Sequence, residues 1–317
     1  MRARLLILLV ALIALALPAT AGAGRIAGEG KPDRSFSGDG RVLTDLDEGS
    51  KDKANAVIAY GDRILLAGYS TQHPFGVQLA LAAYRQDGSL DPGFGDGGIV
   101  LSNVEDGMAA EAMAIDSFGD IVVAGPSNTG QPFGSPSVAR LLPDGRLDTS
   151  FAGSGYKILP VRESGSYASA GALDVKGRVI LAGKTGTLLG FAALGESGQL
   201  DRSFGRRGFA LHDVRDEYLP GDVADDSHRR VVGALESIGS PSTPPMGAFR
   251  AWRLRADGSF DRRFSGDGRV AVPLGGRLGT ARSVALQGNG RILLGGWAKL
   301  PGTIDTDFAL VRLRGGL

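Results

Sequence analysis

An all-β chain built from five like units is predicted by three observations. The segment Asp-x-x-Phe-x-x-x-Gly occurs five times, at Asp33/Phe36/Gly40, Asp91/Phe94/Gly98, Asp148/Phe151/Gly155, Asp201/Phe204/Gly208 and Asp261/Phe264/Gly268. It recurs every 53–60 residues, the spacing of repeats that each fold as one supersecondary unit. Between these segments the apolar residues alternate or form short β-branched runs, and helical periodicity is absent.

The second unit gives the order of elements. Ala110–Ile115 alternates small apolar residues with others, Asp116-Ser117-Phe118-Gly119 is a turn, and Asp120–Gly125 is a β-branched run ending on Gly, which predicts two strands joined by a tight turn. Ser137–Leu142 predicts a third strand, and Pro143-Asp144-Gly145 its exit, because Gly accepts the positive φ of such a turn. After the Asp148–Gly155 corner, Tyr156–Leu159 extends again as a fourth strand. The first two strands recur at Ala54–Gly68, Ala168–Gly183 and Ala281–Gly296, and the third at Leu79–Tyr84, Leu189–Leu194, Phe249–Arg255 and Phe308–Leu313.

Four antiparallel strands per unit make a propeller blade. The strands rich in small residues belong where blades converge, and the corner phenylalanines belong between neighbouring blades. Each corner aspartate is expected to cap its turn by accepting backbone N–H groups. The last unit lacks a fourth strand, and Gly40-Arg41-Val42-Leu43 has the form of a fourth strand with no unit before it. The expectation is a five-bladed β-propeller of four-stranded antiparallel blades, closed by the N-terminal strand pairing with 308–313, because closure removes exposed strand edges.

The run Asp87-Gly88-Ser89-Leu90-Asp91-Pro92-Gly93-Phe94-Gly95-Asp96-Gly97-Gly98, followed by Ala110–Gly125, resembles the delta-60 repeat, a bacterial β-propeller repeat often found in exported and surface proteins. The resemblance covers about residues 32–313. It implies a propeller and carries over no catalytic residue. The fourth unit departs furthest, reading His228-Arg229-Arg230-Val231-Val232-Gly233-Ala234-Leu235 where others have Gly-Arg-Val/Ile-x-Leu-Ala-Gly. Its longer loop, Glu236–Met246, carries Pro241, Pro244 and Pro245. Drift in a structural unit and a ligand loop on a rigid scaffold are the two readings.

Met1-Arg2-Ala3-Arg4, an apolar run over Leu5–Leu17 and the small residues Ala19–Ala23 read as a secretory signal, the run being too short to span a bilayer. Residues 1–23 are expected to be this signal and 24–317 one propeller domain, secreted or extracytoplasmic. The chain has no cysteine, and a domain of this size can bury a large core without disulfides. Acidic and basic residues nearly balance. Along the sequence they form neither a nucleic-acid stripe nor a polybasic membrane patch, so no nucleic acid and no membrane span after signal removal are expected, and the chain is expected to be a monomer.

In a four-stranded meander the turns joining strands one to two and three to four lie on one face. The other face carries connections that vary in length, and residues there are the candidate ligand-binding set: His73, Tyr167, His212, Asp213, Asp216, Tyr218 and Trp297. Their chemistry suits a protein or glycan partner. Aligned first strands place Asn55, Glu111, Ser169, Gly221 and Arg282 in one equivalent position. One carboxylate and no His there make no metal ring. The acids Asp213, Asp216, Glu217, Asp222, Asp225 and Asp226 offer paired carboxylates. Gly28-Glu29-Gly30-Lys31 is followed by Pro32 where a phosphate loop needs Ser or Thr.

No catalytic residue, metal or cofactor is expected. The reading is a secreted non-enzymatic scaffold for a protein or glycan partner. The alternatives are an extracytoplasmic glycan hydrolase or lyase using acids of the fourth unit such as Asp216 and Asp222, and a purely structural surface element.

Overall fold

The computed structural model describes residues 32–314, apart from 73–75, 103, 105–106, 128–134, 160–166, 174–176, 186–187, 214–217, 226–229, 238–246, 288–289 and 303–305. The expected signal segment lies outside the described residues. Residues 1–41 and 42–317 form separate units. In the first of these, the described corner Asp33–Gly40 is closed by Phe36 N–H to Asp33 O at 3.0 Å and Gly40 N–H to Phe36 O at 2.7 Å.

The second unit is all-β. Its first sheet is β1 (Lys51–Tyr60), β2 (Arg63–Gln72), β3 (Gly76–Arg85) and β4 (Ile99–Ser102), and its second is β5 (Ala112–Ile115), β6 (Ile121–Ser127), β7 (Ser135–Leu141) and β8 (Tyr156–Ile158). The third holds β9 (Tyr167–Leu173), β10 (Val179–Thr185), β11 (Leu188–Leu194) and β12 (Phe209–Asp213). The fourth holds β13 (Tyr218–Asp225), β14 (Val231–Ser237), β15 (Ala248–Leu254) and β16 (Arg269–Pro273). The fifth has three strands, β17 (Leu278–Leu286), β18 (Ile292–Lys299) and β19 (Asp307–Leu313). Within each sheet the strands pair antiparallel in chain order, as the alternating patterns and tight turns require.

Small first strands let neighbouring sheets approach. β1 packs on β5, β5 on β9, β9 on β13 and β13 on β17. In four sheets the first strand bulges at the aligned position: Asn55, Ser169, Gly221 and Arg282 are each the extra residue in the register. A bulge bends and twists its strand where the sheets converge. Asn55 Nδ2 donates to Ala110 O across the first joint at 2.9 Å, so there the aligned position is used to join sheets.

Sheet-to-sheet burial supplies the core. Leu65, Leu79 and Leu81 of the first sheet meet Ile121 and Val123 of the second. Val122 and Val138 meet Val179 and Leu181 of the third, whose Ile180 and Phe191 meet Val231 and Trp252 of the fourth, and Val232 and Phe249 meet Ile292 and Leu294 of the fifth. Each such side chain contributes about 1.5–3 kcal/mol when fully buried.

The departure of the fourth unit is compensated inside this core. A Cβ on Gly233 would lie 2.1 Å from Trp252 Cζ2, and Gly233 is paired with Trp252 across β14 and β15. The second sheet pairs Val123 with Ala139 at the same register. The large side chain has moved from the second strand to the third, and the glycine opposite makes the room that the indole needs.

The corners are alike in backbone. In every one the Phe N–H donates to the Asp carbonyl and the final Gly N–H to the Phe carbonyl, as at Phe151/Asp148 (2.9 Å) and Gly155/Phe151 (2.8 Å). The Asp Oδ1 accepts the N–H two residues on, at 2.9–3.1 Å, from Ser35, Gly93, Ser150, Ser203 and Arg263. The residue after Phe takes positive φ in all five: Ser37 54°, Gly95 54°, Ala152 54°, Gly205 53° and Ser265 55°. Phe-Gly corners need that Gly, since a Cβ would lie 2.1 Å from Ile99 O at Gly95 and 2.0 Å from Phe209 O at Gly205.

The fifth sheet lacks the expected fourth strand. Residues 41–45 carry no strand, and among the described residues β19 pairs with β18 alone. Phe308 (104%) and Leu310 (70%) are exposed on β19. Val42, Thr44 and Leu46 are partly buried while Leu43 and Asp45 are exposed, and Thr44 Oγ1 accepts from the Tyr84 hydroxyl of the first sheet at 2.7 Å.

Candidate functional site

The face of tight turns is a set of joints. In the three middle corners the residue after the Phe donates to the turn of the next sheet: Gly95 N–H to Asp144 O (2.8 Å), Ala152 N–H to Ser197 O (2.9 Å) and Gly205 N–H to Asp257 O (2.7 Å). The same turns carry glycines against which the rings seat: a Cβ on Gly145 would lie 3.0 Å from Phe94 Cε2. Phe94, Phe151 and Phe204 are fully buried and Phe264 nearly so. These four rings are packed away as a repeat and offer no ligand platform, while Phe36 is partly buried.

Each of the four corner aspartates from Asp91 onward has an arginine, drawn from one of two strands. Arg140 and Arg253, on the third strand, reach Asp148 and Asp261 with Nε at 2.7 and 2.9 Å, and their guanidinium groups lie 5.1 and 4.8 Å from the rings of Phe151 and Phe264. Where the third strand has Ala83 or Ala193, Arg63 and Arg178, from or beside the second strand, reach Asp91 at 2.6 Å and Asp201 at 2.8 Å. The Ser203 hydroxyl and then Arg178 hold the Asp201 carboxyl down to about 2.

The opposite face carries the connections. His73 and Asp216 lie outside the described residues. Tyr167 and Tyr218 are the first residues of β9 and β13, at the same end of neighbouring first strands. Asp213 ends β12 and is exposed, and Trp297, partly exposed near the end of β18, stands opposite Phe308 and Thr280. Topology places these four at one end of three sheets. His212 packs into the joint between the third and fourth sheets: Nε2 is 2.9 Å from Gly258 O, and the ring centroid is 4.1 Å from that of Phe260. Burial holds its pKa below the usual histidine range.

The acids proposed for catalysis are partly accounted for. Asp222 Oδ1 accepts Val223 N–H at 2.8 Å, and Oδ2 accepts Val284 N–H of the fifth sheet at 3.0 Å. Burial raises its pKa against those bonds, and Oδ2 staples the fourth sheet to the fifth. Asp225 ends β13, and Glu217 and Asp226 lie outside the described residues. Among the described residues no three His, Asp or Glu side chains gather to hold a metal. A small cavity between the second and third sheets is lined by Met113, Val122, Gly171, Val179 and three alanines, with no polar side chain for chemistry.

Sequence reasoning missed the arginine half of each corner. The signal was there, since Arg140 and Arg253 stand eight residues before their aspartates, but Arg63 and Arg178 come from different offsets and only folding makes them equivalent.

No curated protein matches this chain. Among solved structures, a polysaccharide lyase, the PL25 ulvan lyase, aligns at 13% identity and a TM-score of 0.43, covering 82% of this chain and 68% of the lyase. Polysaccharide lyase Uly1 aligns at 9% identity and 0.44, covering 83% and 71%. Drosophila Plexin A, solved in complex with Semaphorin 1b, aligns at 9% and 0.44, covering 82% and 51%. Residues 119–151, which run from the first turn of the second unit to its corner Phe, match the family model described as a domain of unknown function (DUF5122) beta-propeller, and this bears out the propeller-repeat resemblance carried by the corner motif.

Proposed function

We propose that the chain is a secreted, non-enzymatic five-bladed propeller that displays its connection face to a protein or glycan partner. The observation that carries this reading is the division of labour between the faces. Recurring hydrogen bonds and buried rings on the turn face join the sheets, so the connections opposite are free to differ without loss of the fold, as binding loops on rigid scaffolds do. The commitment of both Asp222 oxygens to backbone N–H groups argues against its use as a catalytic acid.

Closure is part of the proposal. Residues 42–44 serve as the fourth strand of the fifth sheet, with Val42 opposite Leu310 and Thr44 opposite Phe308, the register that Val138↔Lys157 and Ala251↔Val270 follow in the second and fourth sheets. Two observations support it. Thr44 already accepts from Tyr84 of the first sheet while Val42 is partly buried, and the exposed Phe308 and Leu310 lie on β19, which among the described residues pairs with β18 alone.

Two experiments test these points separately. With no native cysteine, Val42→Cys with Leu310→Cys should form a cross-link on mild oxidation of the mature chain and raise its melting temperature, because it ties a long loop. A chain that stays reduced, or melts earlier when linked, contradicts the closing register. For the partner, glycan and peptide arrays probed with the wild type should give hits that weaken in Tyr218→Ser and Trp297→Ser at unchanged thermal stability. Polysaccharide turnover by the purified chain would defeat the non-enzymatic reading.

A further inference from the structure

The five corners share a backbone but not a charge. Corners two and three read Pro92-Gly93-Phe94-Gly95-Asp96-Gly97 and Thr149-Ser150-Phe151-Ala152-Gly153-Ser154, with no cation. The fourth reads Arg202-Ser203-Phe204-Gly205-Arg206-Arg207, and the fifth begins Arg262-Arg263. All five arginines are exposed, and none makes an ion pair among the described residues. The two corners adjoin through one turn, because Gly205 N–H donates to Asp257 O at 2.7 Å and Arg178 Nη1 to Ala256 O at 3.2 Å. The exposed acids of that stretch are engaged: Asp257 by Ser259 at 2.6 Å and Asp267 by Arg269 at 3.1 Å.

One of these arginines is held against its backbone preference. Arg207 has φ 58°, where the matching position of the other Phe-Gly corner is Gly97 at 60°. A Cβ on Gly97 would meet nothing within 4 Å, so the site is open and packing requires no side chain. A non-glycine residue there costs about 1 kcal/mol or more. Strain of this kind, at a position that contributes nothing to the core, points to use of the side chain.

We infer that Arg202, Arg206, Arg207, Arg262 and Arg263 form a docking surface for an acidic polysaccharide, on the turn face and distinct from the connection face proposed above. Guanidinium forks match carboxylate and sulfate oxygens in pairs, and two adjoining corners offer a strip for successive charged sugars. The rings beside the strip, Phe204 and Phe264, are buried, so it has no platform for stacking bases and no apolar wedge for a membrane. This surface lies within the third and fourth sheets and does not depend on closure.

The test uses the mature chain with polygalacturonate and heparin as probes and neutral dextran as reference. Both acidic polymers should bind, dextran should not, and binding should weaken steeply with salt as counterions are retained. Replacing the five arginines (R202S, R206S, R207G, R262S, R263S) should weaken binding at least about tenfold without lowering the melting temperature, and R85S with R146S should leave it unchanged. Equal loss in both variants, binding of neither polymer, or tighter binding to duplex DNA or anionic vesicles than to either polysaccharide would overturn the assignment.

Discussion

The turn face and the connection face are made by the same strands, yet one repeats to within about 0.2 Å in its corner bonds and the other repeats hardly at all. Gly98, Gly155 and Gly268 each donate to their corner Phe carbonyl at 2.8 Å. The connections opposite range from the two residues between β10 and β11 to the ten between β14 and β15. The difference teaches where the fold constrains its sequence: a joint that must pass a ring and an amide to the next sheet admits few residues, and a connection that only returns the chain admits many.

The largest effect that would sharpen this comparison is loss of a joint. Phe204→Ala should destabilise by about 3–5 kcal/mol, because the ring is fully buried against the turn of the next sheet, whereas Leu300→Ser on the connection face should stay within about 0.5 kcal/mol. Chemical denaturation of both variants measures the contrast, and comparable losses would break it.

Next come the ion pairs. Arg253 and Asp261 are 3% and 4% exposed, so Arg253→Ala strands a buried carboxylate and should cost about 3 kcal/mol. Arg63, 30% exposed, makes the equivalent pair near solvent, and Arg63→Ala should cost less than about 1 kcal/mol. Equal costs would show that burial does not set the strength of a joint.

Acid should open the joints through their aspartates. Asp201 is held at about 2, below its ordinary 3.8. A carboxylate depressed in the folded state contributes stability above the unfolded value and loses it as pH falls through the folded one. Wild-type stability should therefore decline between about pH 4 and about pH 2, and Asp201→Asn should be less stable at neutral pH with a shallower decline across that window. An unchanged slope in pH-dependent denaturation would remove Asp201 from the account.

The smallest effect concerns backbone strain. Ala152→Gly should stabilise by about 1 kcal/mol, since the position after Phe already holds φ 54°. A loss in the melting curve would mean that the Ala152 methyl packs more than it strains.

Much of this was legible along the chain. The corner motif located all five corners, and the alternating runs located the strands, because turn chemistry and period-two burial act over a few residues. The aspartate caps were also readable, being contacts between residues two apart. The arginine partners were not, because Arg63 and Arg178 substitute for a third-strand arginine only once three strands lie side by side. Nor was the role of His212, which its fourth-strand position assigned to a ligand face and the sheet joint instead takes up.

Residue order by itself determined the repeat, the strand sequence within each sheet and the chemistry of each corner, since these depend on neighbours a few bonds apart. The tertiary structure alone decided that Trp252 fills the space over Gly233, that Asp222 staples two sheets, and that the fourth corner, through Gly205, bonds Asp257 in the turn that leads to the fifth. Those outcomes depend on which sheets pack together, and packing is settled by shape and burial among residues that the chain itself keeps far apart.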